Sequence, residues 1–143
     1  MVAKTALSEF IEEKVREAAL GDALYGAKEF GSLRGDVSAE RKVVRSDAWG
    51  GKFQVSDEEK RTEMDVDAMV QCHVQPKGDT DFDLEEAIEE SFQMAKRLCY
   101  LINTEGLGNS VCDAYFEDFE SDTSSLGGTT RGSTYIFGKI NNI

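Results

Sequence analysis

Residues 64 to 74 form the most regular pattern in the chain, because apolar and polar side chains alternate along them with one exception, Met69. A period of two predicts a β-strand with one face on a core and the other towards water or a partner. Pro76 and Gly78 are expected to end this strand. His73, the only histidine, falls on the polar face. The residues expected to face the core are Met64, Val66, Ala68, Val70, Cys72 and Val74.

Two segments have the three- and four-residue spacing of amphipathic helices. The first is predicted at about 6 to 20, and Gly21 ends it. The second is predicted at about 84 to 104, with Asp83 and Glu86 as its N-terminal capping pair. The apolar stripe of the second helix comprises Leu84, Ala87, Ile88, Phe92, Ala95, Leu98, Cys99 and Ile102. We expect this stripe to pack on the apolar face of the alternating strand.

The remaining pattern predicts short strands and two long polar loops. Strand character is found at 24–30, 41–45, 52–55, 111–120 and 133–141. The glycine pairs at 50–51 and 127–128 indicate turns. Residues 46–63 and 121–132 are predicted to be long loops. The expected fold is α+β, a mostly antiparallel sheet with two helices on one face, in the order α-β-β-β-α-β-β.

Composition limits the class of protein. A single domain fits 143 residues, and a net charge of −12 opposes DNA binding as the main task. No apolar run reaches the ~20 residues of a membrane span, and MVAKTALSEF lacks the pattern of a signal peptide. Cys72, Cys99 and Cys112 have no CxxC spacing, which favours buried free thiols in a reducing cytoplasm.

The acidic residues from 79 to 90 test a calcium-loop hypothesis. Asp79, Asp81, Asp83, Glu85 and Glu90 occupy liganding positions of such a loop. Its sixth position should be glycine but is Leu84, which belongs to the predicted helix. An acid-rich helix N-terminus is therefore the preferred interpretation, and no metal is expected.

No enzymatic constellation stands out. His73 has no second histidine beside it in the pattern, and Asp65 with Asp67 lacks any sign of the enclosed site that catalytic carboxylates need. The glycine pairs match no phosphate-binding loop. We therefore expect a protein that is not an enzyme and needs no cofactor.

The order and size of the elements resemble the tail terminator proteins of long-tailed bacteriophages. The resemblance covers nearly the whole chain and rests on pattern rather than on an invariant motif. The segments that carry it are FIEEKVREAALGDAL, MDVDAMVQCHVQPKGD, DLEEAIEESFQMAKRLCYLIN, VCDAYFEDF and RGSTYIFGKINN. The segment between the first helix and the long strand is longer and more charged than such a protein needs, which leaves another head–tail connector open.

The resemblance implies a structural virion protein assembled in the host cytoplasm. Such a protein forms a ring, expected to be a hexamer, on the tail tube and joins it to a head connector or sheath protein. DNA would pass through the ring without specific binding. The charges of the two predicted loops are the candidate contacts between protomers or with the tail: Asp57, Glu58, Glu59, Lys60, Arg61 and Arg131.

Two other function classes stay open from sequence. One is an adaptor or binding module that uses the same sheet edge for a single partner. The other is a Mg²⁺-dependent enzyme that uses acidic residues. A metal-binding titration would distinguish this enzyme from the ring protein and from the binding module.

Overall fold

A computed structural model describes residues 2–17, 27–30, 41–56, 61–108, 112–126 and 128–142. The α+β class is confirmed, and the elements follow one another as α-β-β-β-α-β-β, with the strand segments predicted at 41–45 and 52–55 joined in one strand. The elements are α1 (Val2–Arg16), β1 (Lys28–Phe30), β2 (Lys42–Ser56), β3 (Arg61–Val74), α2 (Asp81–Glu105), β4 (Cys112–Leu126) and β5 (Thr129–Asn142).

The strands form one five-stranded sheet in the order β1-β2-β3-β5-β4. All neighbours pair antiparallel except β1 with β2, which run parallel. The predicted mostly antiparallel sheet is therefore confirmed. β5 lies between β3 and β4 and so joins the two halves of the chain.

The core lies between the helices and one face of the sheet. On β3 the predicted apolar face is confirmed for Val66, Ala68, Val70, Cys72 and Val74, all buried. Ile136 and Ile140 of β5 pair with Val70 and Val66 and extend the same face. Alternation thus puts these residues of β3 and β5 on the side of the sheet that the helices cover.

Helix α1 buries one face and is connected by polar contacts at two places. Ser8 Oγ lies 2.8 Å from Ser46 Oγ on β2, and Lys14 Nζ lies 2.5 Å from the Glu105 carboxylate at the end of α2. The helix begins and ends earlier than predicted, and residues 18–20 lie outside the described part. Its buried residues include Ala3, Ala6, Leu7, Phe10 and Ile11.

Helix α2 packs through a face rotated slightly from the predicted stripe. Ile88 and Phe92 are only half-buried, whereas Ser91 and Met94 are fully buried. Ser91 fits because its hydroxyl donates to the Ile88 carbonyl and lies 2.8 Å from Thr134 Oγ1 of β5. The buried residues of α2 are Ala87, Ser91, Met94, Ala95, Leu98, Cys99, Leu101 and Ile102.

The start of α2 corrects the predicted cap. Thr80 is the N-cap: its hydroxyl accepts from the Asp83 N–H at 3.1 Å, and the Asp83 carboxylate accepts from the Thr80 N–H at 3.2 Å. The predicted pair of Asp83 with Glu86 is wrong because the helix begins at Asp81, which makes Asp83 the third helical residue.

Both predicted long loops are largely strand. Residues 46–56 continue β2 and residues 61–63 begin β3, while the connection 57–60 lies outside the described residues. Residues 121–126 continue β4 and residues 129–132 begin β5. Polar composition suggested loops, but cross-strand pairing extends both hairpins well beyond their apolar segments.

The glycine pair at 50–51 forms a bulge and not a turn. The β2–β3 register shifts between Trp49 and Lys52, and Gly50 has φ +71°, a left-handed conformation that favours glycine. Gly128 does lie in the β4–β5 turn, with φ +77°, while residue 127 lies outside the described residues. Cys72, Cys99 and Cys112 are thiols outside any disulfide and are buried, as predicted.

Candidate interaction surface

The sheet face away from the helices, here called the distal face, carries ordered rows of side chains across four strands. Residues paired across antiparallel strands share a face, so the register defines these rows. From one end of the sheet to the other, the rows are Trp49, Asp67, Lys139, Tyr115; then Asp47, Met69, Phe137, Asp118; then Arg45, Gln71, Tyr135, Glu120; then Val43, His73, Ser133, Asp122.

The first two rows expose aromatic and acidic groups together. Trp49 is 42% exposed and Tyr115 60% exposed, although large aromatic side chains usually contribute to a core. Asp67 and Asp118 are exposed beside them, and Met69 is half-buried. Exposed aromatic side chains are enriched at protein contacts, and the carboxylates beside them would repel a phosphate.

The opposite end of the distal face is buried. His73 is 2% exposed, and its Nδ1 lies 2.6 Å from Ser133 Oγ. Ser133 Oγ is in turn 2.5 Å from Ser124 Oγ, and His73 Nε2 lies 3.0 Å from Gln71 Oε1. The side-chain amide oxygen of Gln71, Oε1, can only accept a hydrogen bond. His73 Nε2 therefore carries the proton, and His73 Nδ1 accepts from the Ser133 hydroxyl.

Electrostatics keeps His73 neutral. Burial lowers the pKa of His73 to about 4, with Arg45 and Arg131 contributing in the same direction. A serine next to a neutral histidine is the arrangement of a nucleophile and its base. Here, however, Ser133 is fully buried, so the described geometry supports a structural hydrogen-bond chain between β3, β5 and β4. The predicted exposure of His73 to water or a partner is wrong.

The six predicted contact residues are placed differently from one another. Asp57, Glu58, Glu59 and Lys60 lie outside the described residues, and Arg61 is the first residue of β3. Arg131 lies in β5, 0% exposed, and is therefore not a charge on the rim of the protomer. The sequence pattern placed Arg131 in a loop, whereas β5 begins at Thr129 and places Arg131 in the sheet.

The acidic residues from 79 to 90 diverge in the structure. The Asp83 carboxylate caps α2, and the Glu90 carboxylate pairs with Arg41 and lies 3.8 Å from Lys42 Nζ. Across the described ranges, no group of three or more His, Cys, Asp or Glu side chains is placed to hold a metal ion. In the same part of the chain, no helix is long and apolar enough to cross a membrane.

Sequence reasoning missed the distal face as a unit. Its signal was present in the exposed aromatics of strands with otherwise acidic neighbours, Trp49 and Tyr115. These residues could be joined only by the register that sets β5 between β3 and β4.

Comparison with known proteins adds no relative: no protein-family model matches the chain, and no curated protein is significantly similar to it.

Proposed function

We propose that this chain is a structural protein of the tail terminator type, which forms a ring at the junction of a phage tail with its head. The observation that supports this best is the exposed half of the distal face, the two rows that contain Trp49 and Tyr115. Both helices cover the other face of the sheet, and among the described residues these aromatics lie outside the buried core. A ring protomer needs such a surface for its neighbour or its tube.

The acidity of the chain agrees with this role. A ring whose protomers each carry −12 repels the phosphate backbone, so DNA can pass through it without being held. The partners we propose are further copies of the chain, in a hexamer, the tail tube protein, and a head connector or sheath protein. The site of action would be the neck of the virion, after assembly in the host cytoplasm.

Ring formation is tested by co-expressing the chain with the tube protein encoded in the same genome. Negative-stain electron microscopy of the purified complexes should show rings at one end of the tubes. A double variant, Trp49→Ser with Tyr115→Ser, should lose the rings. The matched control, Phe82→Ser with Tyr100→Ser, removes two exposed aromatics from α2 and should keep them.

Two results would overturn the proposal. One is a monomer that ignores the tube protein and binds a non-viral partner. The other is equal ring formation by the distal-face variant and its control, once thermal melts show that both are folded.

A single-partner adaptor of the same fold is the second candidate, favoured by the exposed outer edge of β4, and light scattering of the complex would distinguish it by its mass.

A further inference from the structure

The outer edge of the sheet at β4 is unusually accessible. Within the described residues β4 is the last strand of the sheet, with β5 on its inner side only. Residues 117–123 are exposed without interruption, on the helix side as well as on the distal side. Helix α2 reaches this part of the strand only through Phe92, whose ring centroid lies 5.6 Å from that of Phe119, and Phe119 stays 39% exposed, so the outer edge is left open. An uncovered edge strand presents unpaired backbone N–H and C=O groups to another chain.

The residues of this edge alternate in chemistry. Asp118, Glu120 and Asp122 pair with Phe137, Tyr135 and Ser133, which places all three carboxylates on the distal face. Phe119, Ser121 and Thr123 lie between them on the helix side. β4 contains no lysine or arginine, and none of the ion pairs found among the described residues involves a β4 acid.

This alternation argues against a second copy as the occupant. If two β4 edges paired, carboxylates would face carboxylates across the junction, which is destabilising. Acidic edges are one of the devices by which proteins prevent self-pairing. A strand that adds here must instead carry positive charges at every second position and small apolar groups between them.

We propose that the β4 edge binds an extended segment of a partner protein in which lysine or arginine alternates with apolar residues. The backbone of the segment would continue the sheet beyond β4, as in other cases of strand addition. Its cations would face Asp118, Glu120 and Asp122, and its apolar residues would contact the 39% exposed ring of Phe119. Strand addition needs only one protomer, so it is independent of ring formation.

The register of the β4–β5 pairing indicates where along β4 the segment binds. The β4–β5 pairing shifts between Phe116 and Asp118, and from Asp118 to Leu126 it runs without a break. Asn103 fixes the bulge because its side-chain amide donates to the Phe116 carbonyl at 2.7 Å and accepts from the Phe116 N–H at 2.9 Å. The regular stretch after this bulge is the part of the edge that a straight strand can pair with.

The experiment titrates the full chain with synthetic peptides and follows amide hydrogen exchange. The probe is a short peptide of alternating lysine and valine, and the first control has the same composition in blocks of lysine and valine. A second control is the alternating peptide with N-methyl groups on the amides of one edge. We expect slower exchange at β4 amides with the first peptide only, and at least tenfold weaker binding of both controls.

Charge-reversal variants test the location. Asp118→Lys with Glu120→Lys should weaken the alternating peptide at least tenfold. Glu85→Lys with Glu89→Lys makes the same change of charge on exposed positions of α2 and should leave binding within twofold.

Three outcomes would overturn the proposal. Equal binding of the block or N-methylated peptide would mean adsorption by charge alone. An equal loss in the α2 variant would place the site elsewhere. Self-association of the parent chain that protects the β4 amides would make a second copy the occupant.

Discussion

Replacing Gly132 with alanine should force α2 away from the sheet. Gly132 lies on the core face of β5, and an added Cβ would sit 2.3 Å from the Ile88 nitrogen and 2.4 Å from the Ala87 carbonyl carbon. Carbon atoms in contact prefer about 3.5 Å or more, so the helix axis must move by about 1 Å. The obstacle is helix backbone, and therefore no side-chain rotation can relieve it.

The cost can be worked from this geometry. Overpacking of this kind costs about 1–3 kcal/mol, while alanine regains roughly 0.5–1 kcal/mol because it restricts the unfolded chain more than glycine does. The difference is a net loss of about 1–1.5 kcal/mol, out of a total stability of roughly 5–15 kcal/mol. For a domain of this size the melting temperature should fall by about 4 °C.

Urea unfolding followed by far-ultraviolet circular dichroism measures the loss directly. Gly108→Ala shows for comparison the cost of a left-handed φ alone, about 1–2 kcal/mol at φ +69°, because no atom lies within 4 Å of its added Cβ. A Gly132→Ala protein as stable as the parent, within about 0.5 kcal/mol, would refute the close approach of α2 to β5.

Four other outcomes are expected. Val70→Asp should leave no cooperative melt, because it buries an unpaired charge at a fully buried core position; a soluble, cooperatively melting variant would contradict the strand register. Asn103→Ala should cost about 1–3 kcal/mol in urea unfolding, because it frees the Phe116 N–H and leaves the Phe116 carbonyl only the Cys99 thiol as a donor; an unchanged midpoint would refute the role of Asn103 in holding the bulge. Between pH 6.5 and about 4 the unfolded chain protonates His73 and the folded chain does not, so the free energy of unfolding should decrease by up to about 3 kcal/mol as the pH is lowered through this range. A His73→Asn variant whose stability depends on pH with the same slope would refute this. Chelator should leave the thermal melt unchanged, and a clear drop would revive the acidic site at 79–90.

Much of the fold could be predicted because its main elements have strong local periods. The alternation in β3 and the helical spacing in α2 each require one face to be buried, and that alone implies helices on a sheet. The element order then followed from the turn residues between them. The candidate surface was less accessible to sequence, since Trp49 and Tyr115 are far apart in the chain and share a row only through β3 and β5.

By itself, the sequence determined the α+β class, the core face of β3, the burial of the three cysteines and the acidity of the surface, because these depend on residue type and short-range spacing. Only the tertiary structure decided that residues 121–126 and 129–132 pair as strands, that Gly50 forms a bulge, and that His73 and Arg131 are buried. Polar strands carry no period of hydrophobicity, and their conformation comes from hydrogen bonds to a neighbouring strand. Whether a polar side chain is buried depends in the same way on what packs over it, which no local pattern records.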